Sequence, residues 1–319
     1  MLFMLERFLK RPCVFILNYH RIGNPADCLF DRAVFSATVD SLDAQLKHMC
    51  RHYRVLSSDD IHNLPETLHR LTEPALMVTF DDGYRDNYEL AVPLLQSHQV
   101  PAVFFVATQC LAEPHLPWWD AIAYVVRHTT RERIRLACHD GSQLNINTTP
   151  EAQAIRLVQR YVKTEPGLDY ARFIEDLSRQ CEVALAVHGQ NVANELFVTA
   201  AMLRDMVARG MLIGSHTHSH VVLGNMPESV QRHELTHSRG LLEEITGEAP
   251  RLLAYPVGGR SSFSDVTRGL AAEIGYTTGF SFYGGCLRPG HHDWFDVPRM
   301  PVDLGMSMSC LRMSLLLAR

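Results

Sequence analysis

Two short clusters concentrate the side chains able to hold a metal or move a proton. In Thr79-Phe80-Asp81-Asp82-Gly83, the apolar run Leu76-Met77-Val78 ends in adjacent carboxylates. Neighbouring side chains at a strand end point different ways, so one acid can bind a cation while the other handles a proton. Gly83 permits the sharp turn that follows. Taken alone, the pair reads equally well as a turn capped by Asp. The second cluster, Gly214-Ser215-His216-Thr217-His218-Ser219-His220, also follows a short apolar strand. His216 and His220 stand four apart, so one helical turn or a tight loop brings both imidazoles to one side and leaves His218 pointing elsewhere. Two His and one carboxylate leave coordination positions open to water and substrate, the pattern of a catalytic metal site. Mixed nitrogen and oxygen donors favour a divalent metal such as Zn2+.

Other residues could serve the same centre. His20 closes the run Asn18-Tyr19-His20-Arg21 and, with a pKa near neutrality, suits a general acid; the alternative is a hydrogen-bonded core histidine. Arg299, in Pro298-Arg299-Met300-Pro301, could supply a guanidinium that keeps a carboxylate ionised and aimed; a structural Arg is the alternative. Trp118-Trp119-Asp120 offers aromatic faces suited to sugar rings, or a hydrophobic hinge. His233 and His237 are also four apart, on a helix with no carboxylate evident nearby, and read as solvated.

Positioning such residues takes a scaffold of buried strands. Cys13–His20, Leu76–Asp82, Ala102–Thr108, Leu212–Ser215, Leu252–Tyr255, Thr277–Phe282 and Phe295–Val302 are short β-rich runs separated by helical patterns, as expected of parallel strands buried on both faces. Helices are predicted at Val39–His52, capped by Ser36 or Thr38, at Pro227–Ile245 before Gly247, and at Val266–Ile274 before Gly275. Residues 118–207 break the alternation with mostly helical patterns and a polar interruption at Gly141–Thr149, which predicts a helical insertion. Leu304–Leu317 reads as a final packed helix.

Composition excludes several classes. The 319 residues are 46% hydrophobic and carry a formal net charge of −5, which argues against a nucleic-acid binder. No apolar run approaches the roughly 18 residues of a membrane span. Cys13–Leu17 is too short for the core of an export signal, so a cytoplasmic location is expected. The first ten residues, with Leu2, Phe3, Leu5 and Phe8, could form an amphipathic helix touching a membrane surface, although a packed or frayed terminus is the simpler reading. Eight scattered cysteines without a CxxC pair read as reduced thiols.

The two clusters, together with Ala254-Tyr255-Pro256-Val257-Gly258, resemble the polysaccharide deacetylase family that shares the NodB-type homology domain. The resemblance implies an α/β fold, a distorted (β/α) barrel of about seven parallel strands, and metal-dependent removal of N-acetyl groups from a carbohydrate substrate. It also implies Asp81 as general base, Asp82, His216 and His220 as metal ligands, and the backbone N–H of Val257 as an oxyanion donor. Ala254 departs from the Arg that usually opens the third motif, and no His follows His292 to match the family's closing motif. Arg299 and His20 are the expected substitutes. Two other functions remain open: a deformylase or amidase acting on a lipid-linked or nucleotide sugar, and a glycan-binding scaffold without turnover.

Overall fold

The computed structural model describes residues 11–112, 115–137, 142–185 and 195–318. The amphipathic stretch over the first ten residues and Cys138 lie outside them. Seven parallel strands form the central sheet: β1 (Val14–Tyr19), β3 (Ala75–Phe80), β4 (Ala102–Val106), β7 (Leu212–Ser215), β8 (Leu252–Ala254), β9 (Thr278–Phe280) and β10 (Met300–Pro301), in the order β9-β8-β7-β4-β3-β1-β10. A two-residue strand β2 (Arg54–Val55) pairs with the start of β3. Val297 bridges Phe280 in parallel while Met300 pairs with Leu17, so the last segment spans the gap between β9 and β1 and completes a distorted (β/α) barrel. That segment is a two-residue strand, shorter than the predicted Phe295–Val302, because Pro298 and Pro301 have no N–H for the ladder.

Strand alternation sorts the side chains. Phe15, Leu17 and Tyr19 of β1 and Leu76, Val78 and Phe80 of β3 face outward, in one apolar cluster with Leu42, Leu46 and Met49 of helix α1 (Val39–His52). Thr38 caps α1 by accepting from the Ser41 amide. The opposite faces run Val14, Ile16, Asn18 and Ala75, Met77, Thr79; they line the barrel interior and turn polar only toward the C-terminal ends. Such an interior is a packed core whose open end is where chemistry fits.

Between β4 and β7 the chain leaves the barrel. This excursion carries helices α2 (Trp118–His128), α3 (Glu151–Thr164) and α4 (Tyr170–Cys181) and a hairpin of β5 (Arg133–Ala137) with β6 (Gln143–Asn147), before α5 (Ala200–Ala208) returns to the barrel and packs Leu203 and Met206 into its outer core. The polar stretch read as an interruption is therefore partly a strand. Ile134, Leu136 and Ile146 alternate into a core with Val158 and Leu177, a period of two rather than a helical period.

After β7 come α6 (Glu228–Thr246), closed by Gly247 at φ 83°, and α7 (Asp265–Ile274), closed by Gly275 at φ 104°. The chain ends in α8 (Met308–Leu317), which buries Leu311 and Leu315 against the outer core. No described helix is long and apolar enough to cross a membrane. The described cysteines are free thiols.

Candidate active site

The polar ends of β1 and β3 meet inside the barrel. Asp81 prolongs β3, its amide donating to the Tyr19 carbonyl at 2.9 Å, so its side chain continues the inward row after Thr79. There it meets Arg299, which is completely buried: Nη1 lies 2.7 Å from Oδ1 and Nη2 2.9 Å from Oδ2. Asn18 Nδ2 donates to Asp81 Oδ2 at 2.9 Å, while Asn18 Oδ1 accepts from Arg299 Nη1 and from the Thr79 hydroxyl, each at 2.7 Å. Arg299 Nε donates to the Ser281 carbonyl, and the guanidinium carbon sits 5.3 Å from the Phe105 ring centroid. Burial by itself would raise the Asp81 pKa, but the Arg299 charge and hydrogen bonds, helped by His216, hold it below the usual carboxylate range. The carboxylate is ionised and fixed on both oxygens.

Asp82 behaves differently because the backbone turns under it. Its φ of 75° breaks the strand alternation and swings its carboxylate toward β7. Gly83 follows at φ 83°, where a Cβ would stand 2.9 Å from Val106 Cγ1, so only glycine fits without displacing that side chain. Asp82 Oδ1 lies 3.6 Å from His216 Nε2 and 3.4 Å from His220 Nε2. One donor atom from each of the three lies within 4.8 Å of the others, the one such group among the described residues. His216 Nδ1 sits 2.8 Å from the Ala254 carbonyl, which orients the ring with Nε2 toward Asp82. Thr217 and His220 adopt φ of 64° and 57°, so the loop is strained into the shape that aims both rings.

This donor set fits a divalent cation. It comprises one carboxylate and two imidazoles, all buried, and no described hydrogen bond ends on the Asp82 carboxylate. Burial, and next the charge of Asp81, push the Asp82 pKa well above normal, the response of an acid without its counter-charge.

The remaining candidates surround the same opening. His20, Asp81, Asp82, His216, His220 and Val257 all line one cavity of about 230 Å3. The His20 ring stands edge-on to Phe282 at 5.8 Å, and burial, partly opposed by Asp81, lowers its pKa to about 4. Val257, at φ 63°, donates its N–H to no described acceptor. Trp118 and Trp119 are buried rather than presented as an open platform: their rings lie 6.1 and 4.4 Å from that of His220, and Trp118 Nε1 donates to the His220 carbonyl.

Comparison with known proteins identifies the family. The family model described as Polysaccharide deacetylase matches residues 69–164 and 177–279. The chain belongs to the polysaccharide deacetylase family. The deacetylase is thus a hydrolase of amide bonds. It is 25% identical over 304 residues to YxkH of Bacillus subtilis (strain 168), a protein named for the same family, with 95% of this chain and 75% of that one covered. Among solved structures, the Streptococcus pyogenes deacetylase PplD superposes with a TM-score of 0.61 at 18% identity, covering 95% of this chain and 98% of that one. IcaB from Ammonifex degensii gives a TM-score of 0.57 at 16% identity, with 97% and 99% covered. At such identities these neighbours speak for the fold.

Sequence reading missed part of the deacetylase site. Asn18 went unnoticed although a lone Asn at the polar end of the inward row Val14-Ile16 is a visible signal. The link from the excursion to the barrel was invisible: Trp119 Nε1 donates to Tyr84 Oη at 2.6 Å, Tyr84 Oη donates to Asp120 Oδ2 at 2.8 Å, and Asp120 Oδ1 accepts from the Asp31 amide. Lys163 of α3, which also lines the cavity, was not singled out either.

Proposed function

We propose that this deacetylase removes N-acetyl groups from amino sugars of a polysaccharide, and that it does so with a divalent metal, Zn2+ by donor type, held by Asp82, His216 and His220. The observation that carries the reading is an ionised, doubly anchored Asp81 beside a three-donor cluster at the end of one cavity. A cation so held supplies Lewis acidity to the acetamide carbonyl and makes nearby water more acidic.

The chain's own groups do the rest. Asp81, kept ionised by Arg299, accepts the proton of the water that attacks the carbonyl carbon. The fork leaves the carboxylate little freedom to rotate, so the acceptor lone pair stays aimed through the turnover. Val257 offers its free N–H to the oxygen that gains charge. His20 is neutral at neutral pH, so the proton it gives the departing amine is one it takes up during the turnover, balanced by the water proton that Asp81 accepts and then releases. Acetate and a free amine result. The excursion takes part as a wall: Trp118, Trp119, Gln159 and Lys163 close the cavity on the side away from the strands. We read residues 118–207 as an insertion within a single catalytic domain on this ground.

Acetate release from N-acetylglucosamine oligomers, measured on metal-stripped and Zn2+-reloaded protein, tests the proposal. Release restored by metal and abolished in Asp81→Asn supports it; metal uptake without release from any N-acetylated oligomer would leave a glycan-binding scaffold.

A further inference from the structure

Three histidines outside the Asp82 cluster come together on the far side of the same loop. In sequence, His233 and His237 are a solvated pair on one face of α6; the fold brings them a third ring. His218 turns outward between the inward-facing His216 and His220. Its ring centroid lies 4.4 Å from that of His237 and 6.3 Å from that of His233, and the two α6 rings are 5.4 Å apart. Three imidazoles bound through nitrogen at about 2.0–2.1 Å around a tetrahedral cation place their ring centroids roughly 5 Å apart. The observed spacings bracket that value.

The arrangement is built rather than incidental. Thr108 Oγ1 lies 3.0 Å from His218 Nδ1, which fixes the ring and leaves Nε2 as its free nitrogen. Glu234, 4% exposed, accepts from the His218 amide at 2.9 Å, the Ser219 amide at 2.7 Å and the Ser219 hydroxyl at 2.5 Å. The loop bearing His218 is thereby fastened to the helix that bears His233 and His237. Those two residues are exposed, and the nitrogens of the three rings stand farther apart than the donors of the Asp82 cluster do. Both α6 side chains are exposed and free to take other staggered rotamers, so closing the set is a matter of side-chain rotation. Glu234 is spent on the loop, so the donors are three imidazoles with a fourth position open to water.

We propose that His218, His233 and His237 form an auxiliary site for a divalent transition metal, Zn2+ or Co2+ rather than Mg2+ or Ca2+, which prefer oxygen donors. An ion there would tie the outer face of the loop to α6 and so stiffen the segment whose inner face carries His216 and His220. The proposal does not rest on the assignment of the Asp82 cluster.

Equilibrium dialysis of the metal-stripped full chain against Zn2+ counts the sites, and Co2+ absorption reports their geometry. Two equivalents are expected for the unaltered chain and one for the double variant His233→Gln/His237→Gln, with circular dichroism unchanged because both side chains are exposed. His237→Gln alone should weaken the outer ion at least tenfold, and Asp82→Asn should leave it in place. A Zn2+ stoichiometry in the double variant equal to that of the unaltered chain would overturn the proposal. Failure of the Asp82 reading looks different: Asp82→Asn would then change no stoichiometry while the double variant still lost one ion.

Discussion

Arg299 and Asp81 meet as a planar fork inside the barrel, two parallel hydrogen bonds of 2.7 and 2.9 Å between groups 218 residues apart in the chain. An ammonium keeps the charge but cannot reproduce the two-bond geometry. Arg299→Lys should therefore lower kcat by one to three orders of magnitude while metal content stays within a factor of two, as turnover and metal analysis on the same preparation would reveal. Arg299→Met, which leaves the carboxylate buried and unpaired, should destabilise the fold by about 3–5 kcal/mol in urea denaturation.

Metal should act as a ligand that stabilises the folded chain. At a free concentration one hundred times its Kd, Zn2+ contributes about 2.7 kcal/mol. His220→Ala should abolish most of that gain for the inner site, and thermal melts with and without Zn2+ in the His233→Gln/His237→Gln background isolate it. A full Zn2+-induced rise in Tm in that triple variant would remove His220 from the ligand set.

The Tyr84 hydroxyl joins the excursion to the barrel, between Trp119 Nε1 and Asp120 Oδ2. Tyr84→Phe strands two buried polar groups and should cost about 1–3 kcal/mol. Trp119 packs on His220, so the same change should also weaken metal binding several-fold. A titration showing unaltered metal affinity would confine the network to stability.

Asp120 gives the stability curve a sign. Burial raises its pKa to about 7 in the folded chain, against an ordinary carboxylate value when unfolded. The folded state therefore holds the proton more tightly. The stabilisation is complete below the unfolded pKa of about 4 and is lost as pH rises toward 7, by up to roughly 4 kcal/mol. Asp120→Asn should flatten this slope, so urea midpoints at pH 5 and pH 7.5 should differ less in the variant than in the parent chain.

What the sequence made legible was local. Asp81 and Asp82, and His216 and His220, are close in the chain, so spacing alone sets them side by side; their convergence needs only that β3 and β7 end at the same rim. Barrel strands were legible because burial on both faces leaves unbroken apolar runs. The β5–β6 hairpin was not, since its two-residue period is brief and embedded among helical stretches. Arg299 stood out as a charge in an apolar segment, but its depth did not: the sequence places it at a barrel mouth, and the fold closes it beneath Asp81 with no exposure at all. The Trp119, Tyr84 and Asp120 relay and the third ring at His233 and His237 depend on contacts between distant segments, which no periodicity encodes.

The segment that delivers Arg299 also fixes when the centre can come into being. On a ribosome, Asp81 emerges 218 residues before the arginine that neutralises it. At about 5–20 residues per second that interval lasts roughly 10 to 45 s. Throughout it, closing β1 and β3 over Asp81 would bury a carboxylate with no counter-ion, a cost that burial alone does not repay. Docking of Arg299 on Asp81 removes the penalty, and the same segment pairs Met300 with Leu17. Chemistry and closure are thus completed together, by one short segment that both neutralises Asp81 and pairs with β1.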